Sequence, residues 1–436
     1  MKKTIALLLT LTMLFLLCAC GGVQATDEVK ELMEKAEGGD SGAMLDLAWC
    51  YYDGDGIDQD YAKALEWMQK AADAGYPAAM NALGWFYEDG NAVEQDYDTA
   101  IEWYKKAAAA GESLYALDKL CNWALNYYNG DGVEQDYDKA LDCITAAADA
   151  GSVDAMYQIA LRYYNGDGVE QDYAQALEWF EKAADAGYGD AMNFIGVMYE
   201  YGDGVDRDTD KAAEWYKKAV EAGEDEPYAA NNLFSLGLSF YDGDGVKQSY
   251  EKALDCWTAA ADSGDGASAY NVSVMYINGD GVEKDLTKAI EWLEKGAGLD
   301  DTGSMCVLGS TYIYNYDEYG IEKDTDKGMA YFEKAAELED ADAMLQLAII
   351  YDLGEIVEEN VETAHEWYEK AGAAGNSTAY NFLGIYYATG DDGKIDPDYE
   401  KAAEYFKKAA DMGDTGAESN LDNLVKKGLV EDPYTK

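Results

Sequence analysis

The residues that could carry chemistry are few in type. The chain of 436 residues contains one histidine, His365, inside a helical pattern that also holds Trp367. One histidine cannot build a His-rich zinc site or a series of catalytic triads, so we expect an ordinary solvated side chain. Carboxylates are too abundant for any glycosidase-like pair to stand out. The short Gly-x-Gly segments do not follow a strand, as a phosphate-binding loop would. The sequence therefore predicts no catalytic residue, no metal ligand and no cofactor.

The loops that contain Asp-Gly-Asp-Gly come closest to a metal site. In an EF-hand frame that starts at Asp53, Asp55 falls correctly at position 3, but Ile57 occupies position 5. Asp58 stands where the frame requires glycine, and Ala64 stands where it requires glutamate. We therefore predict that these loops are turns, and we keep a calcium-binding surface protein as an alternative function.

The cysteines do not predict a disulfide framework. Beyond Cys20 the chain contains Cys50, Cys121, Cys143, Cys256 and Cys306. An odd number of cysteines in an exported chain argues against complete pairing. Cys143 and Cys256 replace a tryptophan that other copies of the same segment have, as at Trp67, so we expect them to pack as small apolar residues. A bridge between Cys121 and Cys143 is the alternative.

The N-terminus has the pattern of an export signal. Lys2 and Lys3 precede an apolar or hydroxyl stretch from Thr4 to Leu17, which is too short for a stable membrane span. The Leu-Cys-Ala-Cys run that ends at Cys20 resembles the lipobox of bacterial lipoproteins. This resemblance implies a signal peptide over residues 1–19, a lipid on Cys20, and a chain anchored at the extracytoplasmic face of the cell membrane. A plain secretory signal is the alternative.

The charge of the chain limits its partners. Its formal net charge is −55 at pH 7, with 87 acidic and 32 basic residues. Such a field repels nucleic acid and anionic lipid, so we predict no nucleic-acid partner and no membrane contact beyond the lipid. Basic partners and divalent ions would be attracted. At 48% hydrophobic and 13% aromatic residues, the chain is too apolar for an acidic disordered tail. Acids that only solubilise the outer faces are the alternative explanation of the charge.

Any site must be positioned by a segment that recurs about every 36 residues. In one copy, Ala79 and Tyr87 share a face of a first helix, helix A. A loop over residues 89–96 follows, and a second helix, helix B, begins with Asp96 as N-cap and ends at Gly111. Other copies end at Gly75, Gly151, Gly187, Gly223, Gly264, Gly375 and Gly413, and degenerate copies end near Asp300 and Asp340.

A longer pattern in each copy resembles a known family. In one copy it comprises Ala191, Ile195, Gly196, Tyr199, Gly202, Gly204, Val205, Asp208, Ala212, Trp215, Tyr216, Lys218, Ala219 and Gly223. The pattern resembles the Sel one-like repeat (SLR) family, a relative of the tetratricopeptide repeat. The resemblance implies an all-α fold, an α/α superhelical solenoid of about ten helix-loop-helix repeats with helix A on the concave side. It also implies an adaptor for proteins or peptides.

The pattern divides the mature chain into three parts. Residues 20–42 hold the lipidated cysteine, a linker and an N-terminal helix, and residues 43–413 hold the repeats. Residues 414–436 hold a capping helix and tail, with Leu421 and Leu424 at helical spacing. Copies three and six are longer than their neighbours and resemble each other, which indicates duplication of a three-repeat block. Their extra residues add about one turn before helix A.

Partner-binding residues are predicted from the pattern of helix A. Counted from its first alanine as position 0, positions 0, 4 and 8 are predicted core, and positions 2 and 6 are mostly apolar. Positions 3 and 7 change character between copies and form one i, i+4 stripe. The predicted partner-binding residues on this stripe are Asp46, Asn122, Asn126, Gln158, Arg162, Phe194, Met198, Asn271, Met275 and Gln346. A tolerant, solvated edge is the alternative.

These patterns together predict a membrane-tethered monomeric scaffold that is not an enzyme. Its partners would be proteins or peptides, and the charge favours basic ones. A cell-wall-active hydrolase or β-lactam-binding protein is an alternative, because a cysteine-rich branch of the SLR family is associated with β-lactam binding or hydrolysis. That branch pairs cysteines regularly within each repeat, a pattern this sequence lacks. A passive spacer is a further alternative.

Overall fold

Helices joined by loops make up the described part of the chain. A computed structural model describes residues 24–90, 92–111, 114–223, 228–393 and 396–434. These ranges contain 23 helices and no strand, which confirms the all-α fold class. The predicted signal peptide and Cys20 lie outside the described residues.

The helices follow one another with short connections. In chain order they are α1 (Asp27–Glu37), α2 (Ser41–Asp53), α3 (Tyr61–Asp73), α4 (Pro77–Asp89), α5 (Tyr97–Ala109), α6 (Leu114–Asn129), α7 (Tyr137–Asp149), α8 (Val153–Asn165), α9 (Tyr173–Asp185), α10 (Gly189–Tyr201), α11 (Thr209–Ala222), α12 (Tyr228–Asp242), α13 (Tyr250–Asp262), α14 (Gly266–Asn278), α15 (Leu286–Gly298), α16 (Thr302–Ile313), α17 (Tyr316–Tyr319), α18 (Thr325–Glu337), α19 (Ala341–Leu353), α20 (Val361–Ala373), α21 (Ser377–Gly393), α22 (Tyr399–Asp411) and α23 (Thr415–Lys426). The A helices are α2, α4, α6, α8, α10, α12, α14, α16, α19 and α21. The B helices are α3, α5, α7, α9, α11, α13, α15, α18, α20 and α22.

The helices form two compact units, Met1–Arg207 and Asp208–Lys436. Within each unit, helix A packs along helix B of the same repeat, and helix B packs against helix A of the next repeat. This stacking of helix pairs is the solenoid arrangement that the repeat pattern predicts. A single pair could not bury its apolar faces alone, so each repeat depends on its neighbours for its core.

Several loops between helix A and helix B are held by their own residues. Gly54 ends α2 with a φ of 75°, a left-handed conformation that favours glycine. Gln59 Nε2 donates to Tyr52 O at 2.8 Å, and the Asp60 carboxylate caps α3 by accepting from Lys63 N at 3.0 Å. The corresponding glutamine bonds are made by Gln95, Gln135, Gln171 and Gln248. Turn geometry thus accounts for the glycine, glutamine and aspartate of these loops.

Glycine on helix A lets an aromatic ring of helix B approach closely. A methyl group on Gly84 would lie 2.5 Å from a carbon of the Tyr104 ring. Tyr104 is fully buried, and its hydroxyl donates to Glu88 Oε2 at 2.5 Å. Gly384 and Phe406 make the same kind of contact in the tenth repeat. A side chain at this glycine position would displace the ring from the core.

The third and sixth repeats have longer A helices than their neighbours. α6 and α12 contain 16 and 15 residues, whereas α4 and α8 contain 13. At both places two ion pairs join the flanking B helices. They are Lys105–Asp142 and Lys139–Asp98 in the first unit, and Lys217–Asp255 and Lys252–Asp210 in the second. The shared pattern of ion pairs supports duplication of a three-repeat block.

Two repeats end without glycine. Asp300 and Glu339 have φ values of 61° and 64°, the left-handed conformation that glycine has in the other repeats. Glu339 takes the place of that glycine in the eighth repeat, which agrees with the predicted end near Asp340. Asp340 instead caps α19, because its carboxylate accepts from Ala343 N at 2.8 Å.

Additional helices cover the first and last repeats. α1 buries Val29 and Ala36 against the first repeat. α23 packs on α22 and buries Ala417, Leu421 and Leu424. Both helices keep charged residues on their outer sides, as the terminal elements of repeat arrays do.

Candidate functional site

The A helices have one partly open face. With the residue aligned to Ala79 as position 0, positions 4 and 5 are buried in every repeat, for example Leu83 and Gly84. Position 3 is exposed or half-buried in most repeats, and position 6 is exposed or half-buried in all of them. Position 7 is buried in half of the repeats, for example at Phe86. The open face, called the A-helix face below, is therefore formed by positions 3 and 6.

The predicted partner-binding residues differ in exposure. Asp46 and Asn122 are exposed. The half-buried ones are Asn126, Gln158, Arg162, Phe194, Asn271 and Gln346. Met198 and Met275 have a relative exposure of 0%, so a partner cannot reach them. These two assignments are corrected to core residues, because position 7 faces the neighbouring helices in their repeats. A role of the other eight in binding stays a prediction.

The sequence prediction missed the apolar residues at position 6. Leu125, Leu238 and Ile385 are exposed to 45%, 39% and 39%. Trp49 and Trp85 occupy the same position in the first two repeats and are half-buried. Because these residues are apolar, the sequence pattern favoured their burial, and they were not predicted to bind a partner. The signal that could have found them is the i, i+3 spacing of positions 3 and 6, since such residues also share a helix face.

Two of the half-buried residues already have partners within the chain. The Phe194 ring stacks on Phe180, with centroids 5.2 Å apart and ring planes at 13°. The Arg162 guanidinium lies 4.5 Å from the centroid of Tyr128, and burial lowers its pKa below the usual value. Substitution of Arg162 or Phe194 would therefore change the packing of the repeats as well as the A-helix face.

Positive charge is nearly absent from the A helices. Within the helix bounds given above, Lys119 and Arg162 are their only Lys or Arg residues. Lys119 Nζ pairs with Glu88 Oε2 at 2.8 Å. Exposed acids on the A helices are Asp46, Asp53, Asp89, Asp118, Asp154, Asp242 and Asp342. The A-helix face is therefore apolar and acidic.

Six tryptophans of the B helices are covered by lysines of the same helices. Lys70 Nζ lies 4.0 Å from the centroid of Trp67, and Lys182 Nζ lies 3.6 Å from that of Trp179. The same i, i+3 pair is made by Lys106 and Trp103, Lys218 and Trp215, Lys295 and Trp292, and Lys370 and Trp367. The lysine stem covers the ring while its charge stays in water. These rings are thus covered within the chain itself.

A groove of about 600 Å³ lies near the start of α5 and α7. Two of its charged groups pair with each other: Asp98 Oδ1 accepts from Lys139 Nζ at 2.5 Å, and it also accepts from the Tyr127 hydroxyl at 3.1 Å. The bond from Lys139 holds the pKa of Asp98 below its usual value. Asp136 caps α7. The groove therefore serves contacts between repeats.

The order of helices, loops and capping residues matches one family over most of the chain. The Sel1 repeat model matches residues 41–76, 77–112, 115–152, 153–188, 189–224, 227–265, 266–301, 303–340, 341–376 and 377–414. The chain belongs to the Sel1 repeat family. This confirms the resemblance predicted from the sequence. Sel1 repeat proteins are generally non-enzymatic scaffolds for protein–protein interaction.

Two solved structures are similar to this Sel1 repeat chain. One is c5321, described as a protective antigen present in uropathogenic Escherichia coli strains and displaying an SLR fold. It is 31% identical, with a TM-score of 0.53, and the match covers 92% of this chain and 83% of that one. The other is a Sel1 repeat protein from Oxalobacter formigenes, 26% identical over 74% of this chain and 90% of that one, with a TM-score of 0.52. No curated protein matches the chain.

The histidine and the cysteines of the described ranges pack within the repeats. His365 is half-buried with its ring 4.1 Å from the centroid of Tyr386, which corrects the expectation of a solvated histidine. Cys121 and Cys143 have free thiols, so the alternative of a bridge between them is not supported. Burial raises the pKa of Cys143 to about 12.

The described ranges give no sign of a metal site or a membrane span. Groups of three or more His, Cys, Asp or Glu residues that could hold a metal do not occur in them. None of the described helices has both the length and the apolar character needed to cross a membrane.

Proposed function

We propose that this Sel1 repeat chain is a lipid-anchored scaffold on the extracytoplasmic face of the cell membrane. It binds proteins or peptides through its A-helix face and is not an enzyme. The observation that carries the proposal is the difference between the two helix sets. The A helices leave apolar side chains uncovered beside unpaired acids, whereas lysines of the B helices cover the tryptophans there.

Uncovered apolar residues on a repeat array support a binding role. Leu125, Leu238 and Ile385 occupy the same helix position in different repeats, so they belong to a recurring surface. Apolar side chains that lie beside polar ones on an exposed face are common where proteins bind partners. Because the A helices offer no uncommitted Lys or Arg, this surface favours a partner with basic residues.

The enzyme alternative has no positive support among the described residues. Burial raises the pKa of Cys256 and of Cys306 to about 12. A thiol of that pKa forms little thiolate near neutral pH and is a poor nucleophile. Turnover of a penicillin-type reporter by the purified chain would contradict the proposal.

The proposed location rests on the lipobox resemblance at Cys20. The similar chain c5321 is described as a protective antigen. The test is detergent-phase partitioning of the full chain expressed in a bacterial host. Cys20→Ser should move the protein to the aqueous phase, whereas the matched change Cys18→Ser should leave it in the detergent phase. Equal partitioning of both variants would contradict lipidation at Cys20.

Partner capture from membranes of the native host tests the binding face. Asn122→Arg with Leu125→Arg places two charges on the A-helix face, where both residues are exposed. Ala174→Arg with Gln175→Arg adds the same charge to exposed residues of α9. We expect the first variant to lose captured partners and the second to keep them, with similar melting temperatures. Loss from both variants, or from the α9 variant alone, would contradict binding at the A-helix face.

A further inference from the structure

Three aromatic rings of the first two repeats form a surface cluster on the A-helix face. Trp49 and Trp85 have centroids 6.0 Å apart, and Tyr52 lies 5.6 Å from Trp49 and 5.7 Å from Trp85. All three side chains are half-buried, and the buried Phe86 lies beside them. These three residues are called the aromatic cluster below.

The aromatic cluster lacks the covering lysine that six tryptophans of the B helices have. In the part of the chain that the structure describes, no Lys or Arg is placed over Trp49, Tyr52 or Trp85. Trp67 packs in the same apolar core, yet Lys70 lies 4.0 Å from its centroid. Aromatic faces attract cations, and Trp does so most strongly. The cluster is therefore free to receive a cation from another molecule.

Carboxylates flank the aromatic cluster. Asp46 and Asp53 lie three residues before and four residues after Trp49, and Asp89 lies four residues after Trp85. Residues at these spacings share a helix face. All three acids are exposed, and across the described ranges none of them pairs with a Lys or Arg. The cluster thus combines uncovered rings with unneutralised negative charge.

Two of these acids lie at positions where their negative charge does not stabilise the fold. Asp53 and Asp89 are the last residues of α2 and α4. The dipole of a helix favours cations at this end and disfavours acids. The corresponding residues of three other repeats are Asn129, Asn165 and Asn278. Since asparagine fits the same turn, the turn itself does not need the charge of Asp53 or Asp89.

The local field agrees with this geometry. Burial is the main cause that raises the pKa of the Tyr52 phenol, and Tyr61, Asp89 and Asp53 raise it further. The negative charges of both carboxylates therefore act on the Tyr52 side chain of the cluster.

We propose that the aromatic cluster is a docking site for the Lys or Arg side chains of a basic segment in a partner protein. The inference deepens the proposed function and rests on it, because it names the chemistry that the A-helix face recognises. Centroids less than about 7 Å apart leave no room for a cation between the rings, so the cation lies on their outer faces. Asp46, Asp53 and Asp89 then neutralise its charge.

The test uses a short fluorescein-labelled peptide with leucine and arginine at helical spacing, and a matched peptide in which citrulline replaces each arginine. Binding to the full chain is measured by anisotropy at physiological ionic strength. Trp49→Leu with Trp85→Leu should weaken binding of the arginine peptide about tenfold, the equivalent of two exposed cation–π contacts. Leucine fits this position, as Leu125 and Leu161 show. The citrulline peptide should bind at least tenfold more weakly than the arginine peptide.

Matched variants separate docking from stability and from general charge attraction. Trp67→Leu with Trp103→Leu removes two rings that pack in the same core but carry their own lysines, so peptide affinity should change less than about twofold. Asp53→Asn with Asp89→Asn keeps the turns and should weaken binding several-fold. This second pair keeps the test decisive if the Trp49 and Trp85 variant folds poorly.

Some outcomes would overturn the inference without touching the proposed function. Equal affinity of the arginine and citrulline peptides, or unchanged binding by the Trp49 and Trp85 variant, would overturn it. Absence of any arginine-peptide binding would also overturn it. The proposed function fails separately, when the variant Asn122→Arg with Leu125→Arg captures host partners as well as the unmodified chain does.

Discussion

The half-buried tryptophans of the two sets of helices have neighbours of opposite charge. On the B helices a lysine follows the tryptophan by three residues, as Lys70 follows Trp67, and lies over the ring. On the A helices of the first two repeats an aspartate follows the tryptophan by four residues, as Asp89 follows Trp85, and no lysine covers the ring. Lysine side chains of the chain therefore cover tryptophan rings on the B helices, whereas Trp49 and Trp85 on the A helices have no such cover.

This difference indicates where stability and binding reside. A lysine over an exposed ring covers apolar surface at little cost, because its charge remains hydrated. An uncovered ring beside an acid at a helix C-terminus gains neither that cover nor a favourable dipole interaction. The B helices therefore show the arrangement expected from folding alone, and the A helices of the first repeats depart from it.

The largest effect should come from Met198 and Met275, which the sequence pattern assigned to partner binding but which are buried in the structure. Met198→Ala and Met275→Ala should each reduce the free energy of unfolding by about 2–5 kcal/mol, because both side chains are fully buried. Asn122→Ala should change it by less than about 0.5 kcal/mol. Urea unfolding followed by circular dichroism measures both. A loss of less than about 0.5 kcal/mol for Met198→Ala would contradict the assignment of Met198 to the core.

Two neighbouring residues on α4, Gly84 and Trp85, should separate a packing role from a binding role within one helix. Gly84→Ala should reduce the free energy of unfolding by about 1–3 kcal/mol, because the added methyl group meets the Tyr104 ring. Trp85→Leu should lower peptide affinity and cost less stability. The two readouts are urea unfolding and peptide anisotropy. Similar stability losses in both variants would show that Trp85 is mainly a packing residue.

An exchange of charge should make the A helices resemble the B helices. Asp53→Lys and Asp89→Lys place cations at the ends of α2 and α4, where each should raise the free energy of unfolding by about 0.3–1 kcal/mol. The same lysines should prevent binding of the arginine peptide. Thermal unfolding and anisotropy measure the two effects. Tighter peptide binding by this variant would contradict the assigned role of the acids.

The smallest effect concerns an ion pair between B helices. The bond from Lys139 lowers the folded pKa of Asp98, so its stabilisation is present above the unfolded pKa of about 3.9 and is lost as pH falls through the lower folded value. Lys139→Met should raise the pKa of Asp98 and reduce the free energy of unfolding by about 0.2–1 kcal/mol at neutral pH. Carbon-detected NMR titration of the Asp98 carboxyl measures this pKa. An Asp98 titration that Lys139→Met leaves unchanged would show that Lys139 does not lower the pKa of Asp98.

The sequence was sufficient for most of the fold. The period, the glycine at each loop and the capping aspartate predicted the repeats, and Asp96 does cap α5. The glutamine bond to a carbonyl seven residues earlier, as from Gln59 to Tyr52, was missed because it depends on the folded path of the loop. Such a contact has no periodic signature in the sequence.

The candidate site was only partly predictable. Positions 3, 6 and 7 of helix A lie close together around the helix, so its sequence pattern cannot tell which of them the next repeat covers. Packing of the neighbouring helices decides this, and it buried Met275 while it left Leu125 exposed. An apolar residue is assigned to the core by default, which is why Trp49 and Trp85 were overlooked.

Site-specific photo-crosslinking in the native host tests whether partners bind at the A-helix face. Benzoylphenylalanine in place of Trp85 or Leu125 samples the A-helix face, and the same residue in place of Ala174 samples exposed α9. We expect discrete protein adducts from positions 85 and 125 and none from position 174. Adducts from Ala174 alone, or the same adducts from all three positions, would contradict binding at the A-helix face.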